Sequence, residues 1–225
     1  MKKFFLLLAV ALFNVSAFAQ DAEKKDAPAG EVSAEMQALT LAGDLVKYGY
    51  AQQSAVSLIS AVEILQSVST QELDAERQGE SDDKASSEGK SGVMTFDIPQ
   101  LLADAKELAS DNSSLLAIIT ELEGAQRHRG AVGGPKSAHE RVLANRTDVY
   151  NIRFVGGRFA EVAVIGDGDT DLDLYVYDEN GNLIVSDVDY TDNCYVSWNP
   201  IWTGNFKIKI VNRGGVYNRY VLMTN

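Results

Sequence analysis

The chain has 225 residues, of which 45% are hydrophobic and 23% charged, and its 32 acidic and 20 basic residues give a net charge of −12 at pH 7. This negative charge repels polyanions, which argues against nucleic acid and anionic membrane surfaces as partners but is compatible with cation binding. The single cysteine, Cys194, cannot form a disulfide within the chain, so the fold must depend on its core or on metal ions.

Residues 1–19 have the pattern of a secretory signal peptide. Two lysines precede an apolar run from Phe4 to Phe13, and residues 17–19, Ala-Phe-Ala, match the small-x-small pattern before a cleavage site. This run is shorter than the roughly 20 apolar residues that span a membrane, and no later run is long enough. We therefore expect an exported protein, periplasmic, cell-surface or secreted, without a transmembrane segment. Residues 20–32 are charged and lack large apolar side chains, which predicts a flexible tether.

Residues 33–124 are predicted to form a helical domain. Between Ser33 and Val68, apolar residues recur at spacings of three, four and seven around a break near residues 48–50, which predicts a hairpin of two amphipathic helices. A second pair is predicted after Asp97, a helix-capping residue, and after the capping segment 111–114. We expect the four helices to bury one another in a bundle; a helical face that binds a partner is the functional alternative.

Two polar segments are predicted to lack regular structure. Residues 74–92 are rich in Ser, Gly and charge and are interpreted as a disordered loop. Residues 125–141 contain several glycines and both histidines and are interpreted as a linker. The pair His139-Glu140 begins like the helix of zinc peptidases, but Leu143 occupies the place of the second histidine. Solvated linker histidines are therefore expected rather than a zinc site.

From residue 142 to residue 225 the hydrophobic period changes to two, which predicts strands. Seven short runs are separated by Gly, Asn, Asp or Pro: residues 149–155, 159–165, 171–177, 182–186, 194–198, 205–212 and 217–224. This number of short strands predicts a jelly-roll-like β-sandwich, so the fold class is α+β, with helices followed by an all-β domain. Trp198 lies on the apolar face of its strand and is expected in the core, whereas Trp202 beside Pro200 is expected to be partly exposed.

The most distinctive segment is residues 166–177, GDGDTDLDLYVY, in which aspartates occupy every second position. In an extended chain these carboxylates point to one face. The Asn180-Gly181 pair predicts a tight hairpin between the strands on either side of it. Such a hairpin brings the end of the second strand beside the start of the first, so the segments 166–171 and 187–193 are expected to converge at one edge.

Converging carboxylates repel one another, and a bound cation would remove that repulsion. Calcium needs six to eight oxygens at about 2.3–2.6 Å, whereas same-face residues of a strand lie about 6.6 Å apart, so both loops would have to contribute. The candidate metal ligands are Asp167, Asp169, Asp171, Asp187, Asp189, Asp192 and Asn193. The alternative is an acidic edge without metal, which keeps the domain soluble and protects the sheet edge from pairing.

The runs GDGDTDLDLYVYDENGNLIVSD, DNCYVSWNP, TGNFKIKIVNRGG and NRYVLMTN together resemble the bacterial pre-peptidase C-terminal domain over residues 142–225. The resemblance implies a β-sandwich accessory module, commonly attached behind secreted peptidases and in some members involved in substrate binding or secretion. It also implies calcium binding in some related sandwiches, here at Asp167, Asp169, Asp171 and Asp192. In this chain the module follows a helical segment, for which no family is recognised.

No catalytic pattern accompanies this domain: the chain has no Gly-x-Ser-x-Gly elbow, complete His-Glu-x-x-His motif or phosphate loop. The leading hypothesis is a non-catalytic exported binding module for an extracellular polysaccharide or protein, with calcium as a possible cofactor. The candidate ligand-binding aromatics, all expected to be exposed, are Trp202, Tyr190 and Tyr217. A structural envelope protein without a dedicated ligand is the alternative, followed by an orphan hydrolase.

Overall fold

The computed structural model describes residues 31–68, 70–79, 96–125 and 134–225. The predicted signal peptide (1–19), nearly all of the tether (20–32) and most of the loop 74–92 lie outside these ranges and stay predictions. Within the described residues, no helix is both long and apolar enough to cross a membrane.

Among the described residues, four helices precede most of the strands, as the sequence predicts. They are α1 (Ala34–Ala51), α2 (Ala55–Ser67), α3 (Ile98–Ala109) and α4 (Ser113–Ala125). The predicted caps are confirmed for α3, where the Asp97 side chain accepts a hydrogen bond from Gln100 N, and for α4, where Asn112 Oδ1 accepts from Ser114 N and Leu115 N. The break between α1 and α2 falls slightly later than predicted, at Gln53, whose φ of 51° is left-handed.

In the part of the chain that the structure describes, ten strands form two five-stranded sheets. They are β1 (Gln71–Glu72), β2 (Arg77–Gln78), β3 (Lys136–Val142), β4 (Thr147–Phe154), β5 (Ala160–Gly166), β6 (Leu172–Tyr177), β7 (Leu183–Asp187), β8 (Asn193–Trp198), β9 (Gly204–Asn212) and β10 (Asn218–Thr224). The first sheet has the order β1-β3-β10-β5-β8 and the second β2-β4-β9-β6-β7. All pairings are antiparallel except that of β1 with β3.

The core of the sandwich lies between the two sheets and is built by alternate residues of each strand. In β9, Phe206, Ile208 and Ile210 are buried and alternate with residues that are exposed or half-buried. Trp198 is buried as predicted and contacts Phe154 edge-on, with ring centroids 4.7 Å apart. The predicted α+β class and the β-sandwich are both confirmed.

The helices cover the outer face of the first sheet and share a second core with it. This core contains the helical residues Met36, Leu58 and Leu101 together with Ile165 of β5 and Val221 of β10. Both faces of β5 are therefore buried along its whole length. The chain approaches closely here because α1 carries Gly43, where an added Cβ would lie 2.7 Å from Ile165 Cγ2. The molecule thus has three layers: helices, first sheet and second sheet.

Three strands correct the predicted boundaries. The predicted linker 125–141 is wrong in its second half, because residues 136–142 form β3, a full partner of β10. The predicted loop 74–92 is wrong at residues 77–78, which form β2 and pair with β4. Residues 71–72 form β1 and add a parallel edge to the first sheet. Residues 71–78 are thus bound to both sheets, which a sequence pattern of only two residues cannot reveal.

Candidate functional site

The predicted site residues fall at opposite ends of the sandwich. We call the segments 166–171 and 187–193 the acidic end, and the loops 155–159 and 199–203 the tryptophan end. Strand β8, six residues long, leads from the first end to the second and separates them by roughly 20 Å.

The two segments of the acidic end converge as the hairpin argument predicts. β6 and β7 pair in antiparallel register with Leu174 opposite Asp187. Beyond the pairing, Gly166 N donates to Asp192 O at 2.8 Å and Leu172 N donates to Thr191 O at 3.0 Å. The backbone itself therefore ties the acidic segments together.

A lysine of the helical layer neutralises the centre of this cluster. Lys47 Nζ of α1 lies 2.6 Å from Asp192 Oδ1 and 2.5 Å from Asn193 Oδ1. Asp192 is buried, and its other oxygen accepts hydrogen bonds from Gly168 N and from Asn218 Nδ2. Asn193 also donates to Asp44 Oδ1 at 3.2 Å. The protein thus supplies a cation of its own where the sequence predicted a metal ion.

Three more of the predicted ligands accept hydrogen bonds from nearby groups. Asp167 Oδ2 accepts from Arg219 N at 3.0 Å. Asp187 Oδ2 accepts from Tyr195 N at 2.9 Å. Asp189 Oδ1 accepts from the backbone and hydroxyl of Thr191 at 2.8 and 2.7 Å. These carboxylates shape and fix the loops, as acidic side chains often do in turns.

Asp171 differs from Asp173, the next aspartate along the strand. Its Oδ1 is buried and has no hydrogen-bond partner among the described residues. Burial raises the pKa of the Asp171 carboxyl above its ordinary value, repulsion from Asp173 and Asp189 raises it further, and Arg213 opposes them. Asp173 itself is held by Arg213, whose Nε lies 2.6 Å from Asp173 Oδ2. Asp171 therefore keeps the repulsion that Arg213 relieves at Asp173.

The seven predicted ligands do not converge on one point. Within the described ranges, no group of three or more His, Cys, Asp or Glu side chains is placed to hold a metal ion. The carboxylate oxygens of Asp192, Asp187 and Asp189 accept hydrogen bonds from Lys47 or from nearby N–H and O–H groups. As arranged, the residues do not fit a six- to eight-oxygen calcium shell. Calcium binding stays a prediction for which the fold gives no preformed site.

The three predicted ligand-binding aromatics are not brought together. Tyr190 is 96% exposed and belongs to the acidic end, whereas Trp202 belongs to the tryptophan end. The prediction that Tyr217 is exposed is wrong, because only 6% of it is accessible. Its ring lies beneath the guanidinium groups of Arg141 and Arg219, each 5.2 Å from the ring centroid.

The tryptophan end presents a small apolar surface. Trp202 is 37% exposed, Val155 54% and Ile201 90%. One face of the Trp202 ring stacks on buried Phe206, with centroids 5.8 Å apart and an interplanar angle of 23°. The Trp202 ring is thereby supported by the core of the sandwich.

The loops of the tryptophan end hold each other in place. Gly157 N donates to Pro200 O at 2.7 Å, and Gly156 N donates to Thr203 Oγ1 at 2.8 Å. A Cβ at position 156 would lie 2.6 Å from the backbone carbonyl carbon of Trp202, so this approach requires glycine. The apolar side chains therefore sit on a loop whose backbone is fixed before any ligand arrives.

Sequence reasoning missed Lys47, the residue that neutralises the acidic end. A single lysine in an amphipathic helix carries no signal that distinguishes it from a solvated one. Its partner Asp192 is 145 positions away in sequence, so only the docking of α1 on the first sheet brings them together.

Comparison with known proteins assigns no family: no family model and no curated protein matches the chain. Among solved structures, it is similar to the pre-peptidase C-terminal domain of a collagenase from Bacillus anthracis, with a TM-score of 0.34, 12% identity and coverage of 42% of this chain and 91% of that one. It is also similar to PliG of Aeromonas hydrophila, a periplasmic inhibitor of g-type lysozyme, with a TM-score of 0.34, 13% identity and coverage of 43% and 90%. No function follows from similarities of this size.

Proposed function

We propose that this chain is an exported, non-catalytic accessory protein whose β-sandwich binds an extracellular protein through the tryptophan end. The observation that supports the proposal is the exposed group of Val155, Ile201 and Trp202 on a fixed loop. Single exposed apolar residues are ordinary on protein surfaces, whereas a supported group of them is typical of contact sites.

The rigidity of the loop favours binding. A ligand that meets a fixed loop does not have to order it, so more of the contact energy appears as affinity. Trp202 is already stacked on Phe206, which removes the rotational freedom that a free ring would lose on binding. Tryptophan is also among the residues that most often dominate interface energies.

The composition of the surface favours a protein over a polysaccharide, the alternative ligand. Sugar rings stack on aromatic faces, and one face of Trp202, the aromatic of the tryptophan end, is occupied by Phe206. Much of the exposed apolar area beside it comes from Ile201 and Val155, aliphatic groups that complement apolar side chains of another protein.

The test is binding of the exported chain to panels of purified extracellular proteins and of polysaccharides. We expect Trp202→Ala to weaken binding to a captured protein by about tenfold or more, the scale of a hot-spot residue. Tyr190→Ala is the matched control, because it removes an exposed aromatic at the other end of the sandwich, and it should leave binding unchanged.

Equal binding by the Trp202→Ala and parent chains would contradict the proposal that the tryptophan end is the binding surface. Capture of a polysaccharide with loss in the same variant would favour the alternative ligand, and no capture at all would favour a structural envelope protein. Calcium is tested separately by the melting temperature with added calcium and with chelator. An unchanged melting temperature would remove the predicted cofactor.

A further inference from the structure

A groove with a basic wall lies on the outer face of the first sheet, beside the acidic end, where Arg219 N donates to Asp167 Oδ2. It has a volume of about 590 Å³ and runs between the start of α3 and strands β3 and β10. Its cationic side chains are Arg141 of β3 and Arg219 of β10, and His139 of β3, whose pKa is lowered by burial, lies beside them. They contrast with the net charge of −12 of the whole chain.

The strand register places these basic groups side by side. Arg219 lies directly opposite Arg141, and Val221 lies opposite His139. Because residues two apart share a face, all four belong to the face that the helices cover further along. Both guanidinium groups lie against the ring of Tyr217, each 5.2 Å from its centroid, so one buried ring holds the two cations next to each other.

One of the two guanidinium groups has an unused donor. Arg219 Nη1 is buried and has no hydrogen-bond partner among the described residues. The two carboxylates that line the groove are engaged elsewhere: Glu140 lies 3.4 Å from Arg77 Nε, and Asp97 caps α3 by accepting from Gln100 N. A buried donor without a partner costs free energy that an acceptor in the groove would recover.

The groove adjoins a mostly apolar chamber of about 80 Å³ between the helices and the sheet. Groove and chamber share the lining residues Phe96, Ile98, His139 and Val221. Leu39 and Met223 are among the residues that complete the chamber. It is smaller than the roughly 150 Å³ cavity that accommodates benzene, so it suits a short aliphatic group rather than a long acyl chain.

We propose that the groove binds a carboxylate that carries a short apolar group, with the carboxylate at Arg219 and Arg141 and the apolar group in the chamber. Arginine pairs with carboxylates through two parallel hydrogen bonds, which matches the unused donor. Both a free branched-chain acid and the C-terminal residue of a peptide have this chemistry. The site is independent of the tryptophan end, and either can fail without the other.

The test titrates the exported chain with isovalerate, with its uncharged analogue isovaleramide and with acetate, which lacks the apolar group. Binding is measured by the NMR shifts of the backbone amides. We expect isovalerate to shift the amides of Val221 and Met223 in a saturable manner. The amide analogue should bind about tenfold more weakly, because it loses the charge-assisted hydrogen bonds, and acetate about tenfold more weakly, because it leaves the chamber unfilled.

Arg219→Gln should abolish the saturable shifts, whereas Arg153→Gln, an exposed arginine on β4 of the other sheet, should retain them. Arg219→Lys keeps the charge and should bind with intermediate affinity, and unchanged melting temperatures establish that the variants are folded. Equal shifts with isovaleramide, or unchanged binding by a folded Arg219→Gln variant, would overturn the proposal. A valine-terminated tripeptide that binds more tightly than isovalerate identifies a peptide C-terminus as the source; weaker binding identifies the free acid.

Discussion

The two sheets of the sandwich are built alike but differ on their outer faces. β9 of the second sheet alternates buried with exposed or half-buried residues, as a strand with one solvated face does. β5 of the first sheet is buried throughout, because the helices cover its outer face. The difference shows that the helical segment completes the first sheet and does not form a separate core beside it.

The sequences of β5 and β9 reflect this difference in the burial of their outer faces. Residues 160–166 read AEVAVIG, a nearly continuous apolar run, whereas residues 204–212 read GNFKIKIVN, with apolar and polar residues alternating. A continuous run in a strand indicates burial on both faces. It is the one signal that could have placed the helices on this sheet from sequence alone.

The largest expected effect tests the covered face. Ile165→Ala should lower the free energy of unfolding by about 3 kcal/mol, because it leaves a cavity between β5 and α1. Lys207→Ala, on the exposed face of β9, should change it by no more than about 0.5 kcal/mol. Urea denaturation measures both. Similar small effects for the two variants would show that the helices do not share a core with the first sheet.

A smaller effect tests how the helical layer is held at its edge. Lys47→Met should cost about 2 kcal/mol, because it leaves the buried Asp192 carboxylate without its cation. The matched control is Lys106→Met, since Lys106 and Glu123 are both well exposed and 3.9 Å apart, and such pairs contribute little. A double variant, Lys47→Met with Asp192→Asn, should regain part of the loss; no recovery would contradict the ion pair as the cause.

The smallest effect concerns the acidic end of the second sheet, where Asp171→Asn should stabilise the protein at pH 7 by about 0.5 kcal/mol. Because the folded-state pKa of Asp171 is raised, its ionised form is disfavoured in the fold. The native protein therefore binds this proton more tightly than the unfolded chain does. The contribution of Asp171 to the free energy of unfolding should therefore rise as pH falls from the raised pKa towards the ordinary aspartate value of about 3.9.

The Asp171→Asn variant should lack this contribution, because asparagine does not titrate. Its advantage over the parent chain in the free energy of unfolding should therefore vanish at low pH, where Asp171 is protonated in both the folded and the unfolded state. Asp111→Asn, on the exposed turn between α3 and α4, is the control with the same charge change. Thermal melts between pH 3 and pH 7 provide the comparison. A parent chain that is more stable than the Asp171→Asn variant at pH 7 would contradict the argument.

Most of the fold could be predicted from local patterns. All seven predicted strands and all four helices are present with small shifts at their ends, because period, capping and turn residues act over a few positions. The three strands that were missed have different causes. β1 and β2 are two residues long, and β3 carries Lys136, His139, Glu140 and Arg141, whose polarity resembles that of a linker.

The candidate site was predicted less completely. The convergence of the acidic segments followed from the hairpin at Asn180-Gly181 and is confirmed. The chemistry of the cluster did not follow, because carboxylates that accept hydrogen bonds look the same in a sequence as carboxylates that bind a metal. The partial exposure of Trp202 is confirmed, but the burial of Tyr217 beneath Arg141 and Arg219 was not predicted.

The sequence by itself determined the elements and the faces they present, since alternation and helical spacing are properties of neighbouring residues. Only the tertiary structure decided which charges meet. Lys47 reaches Asp192, and Arg141 meets Arg219, through the docking of a helix on a sheet and the register of two strands far apart in sequence. Such long-range pairings are fixed by the packing of whole layers, which no local pattern encodes.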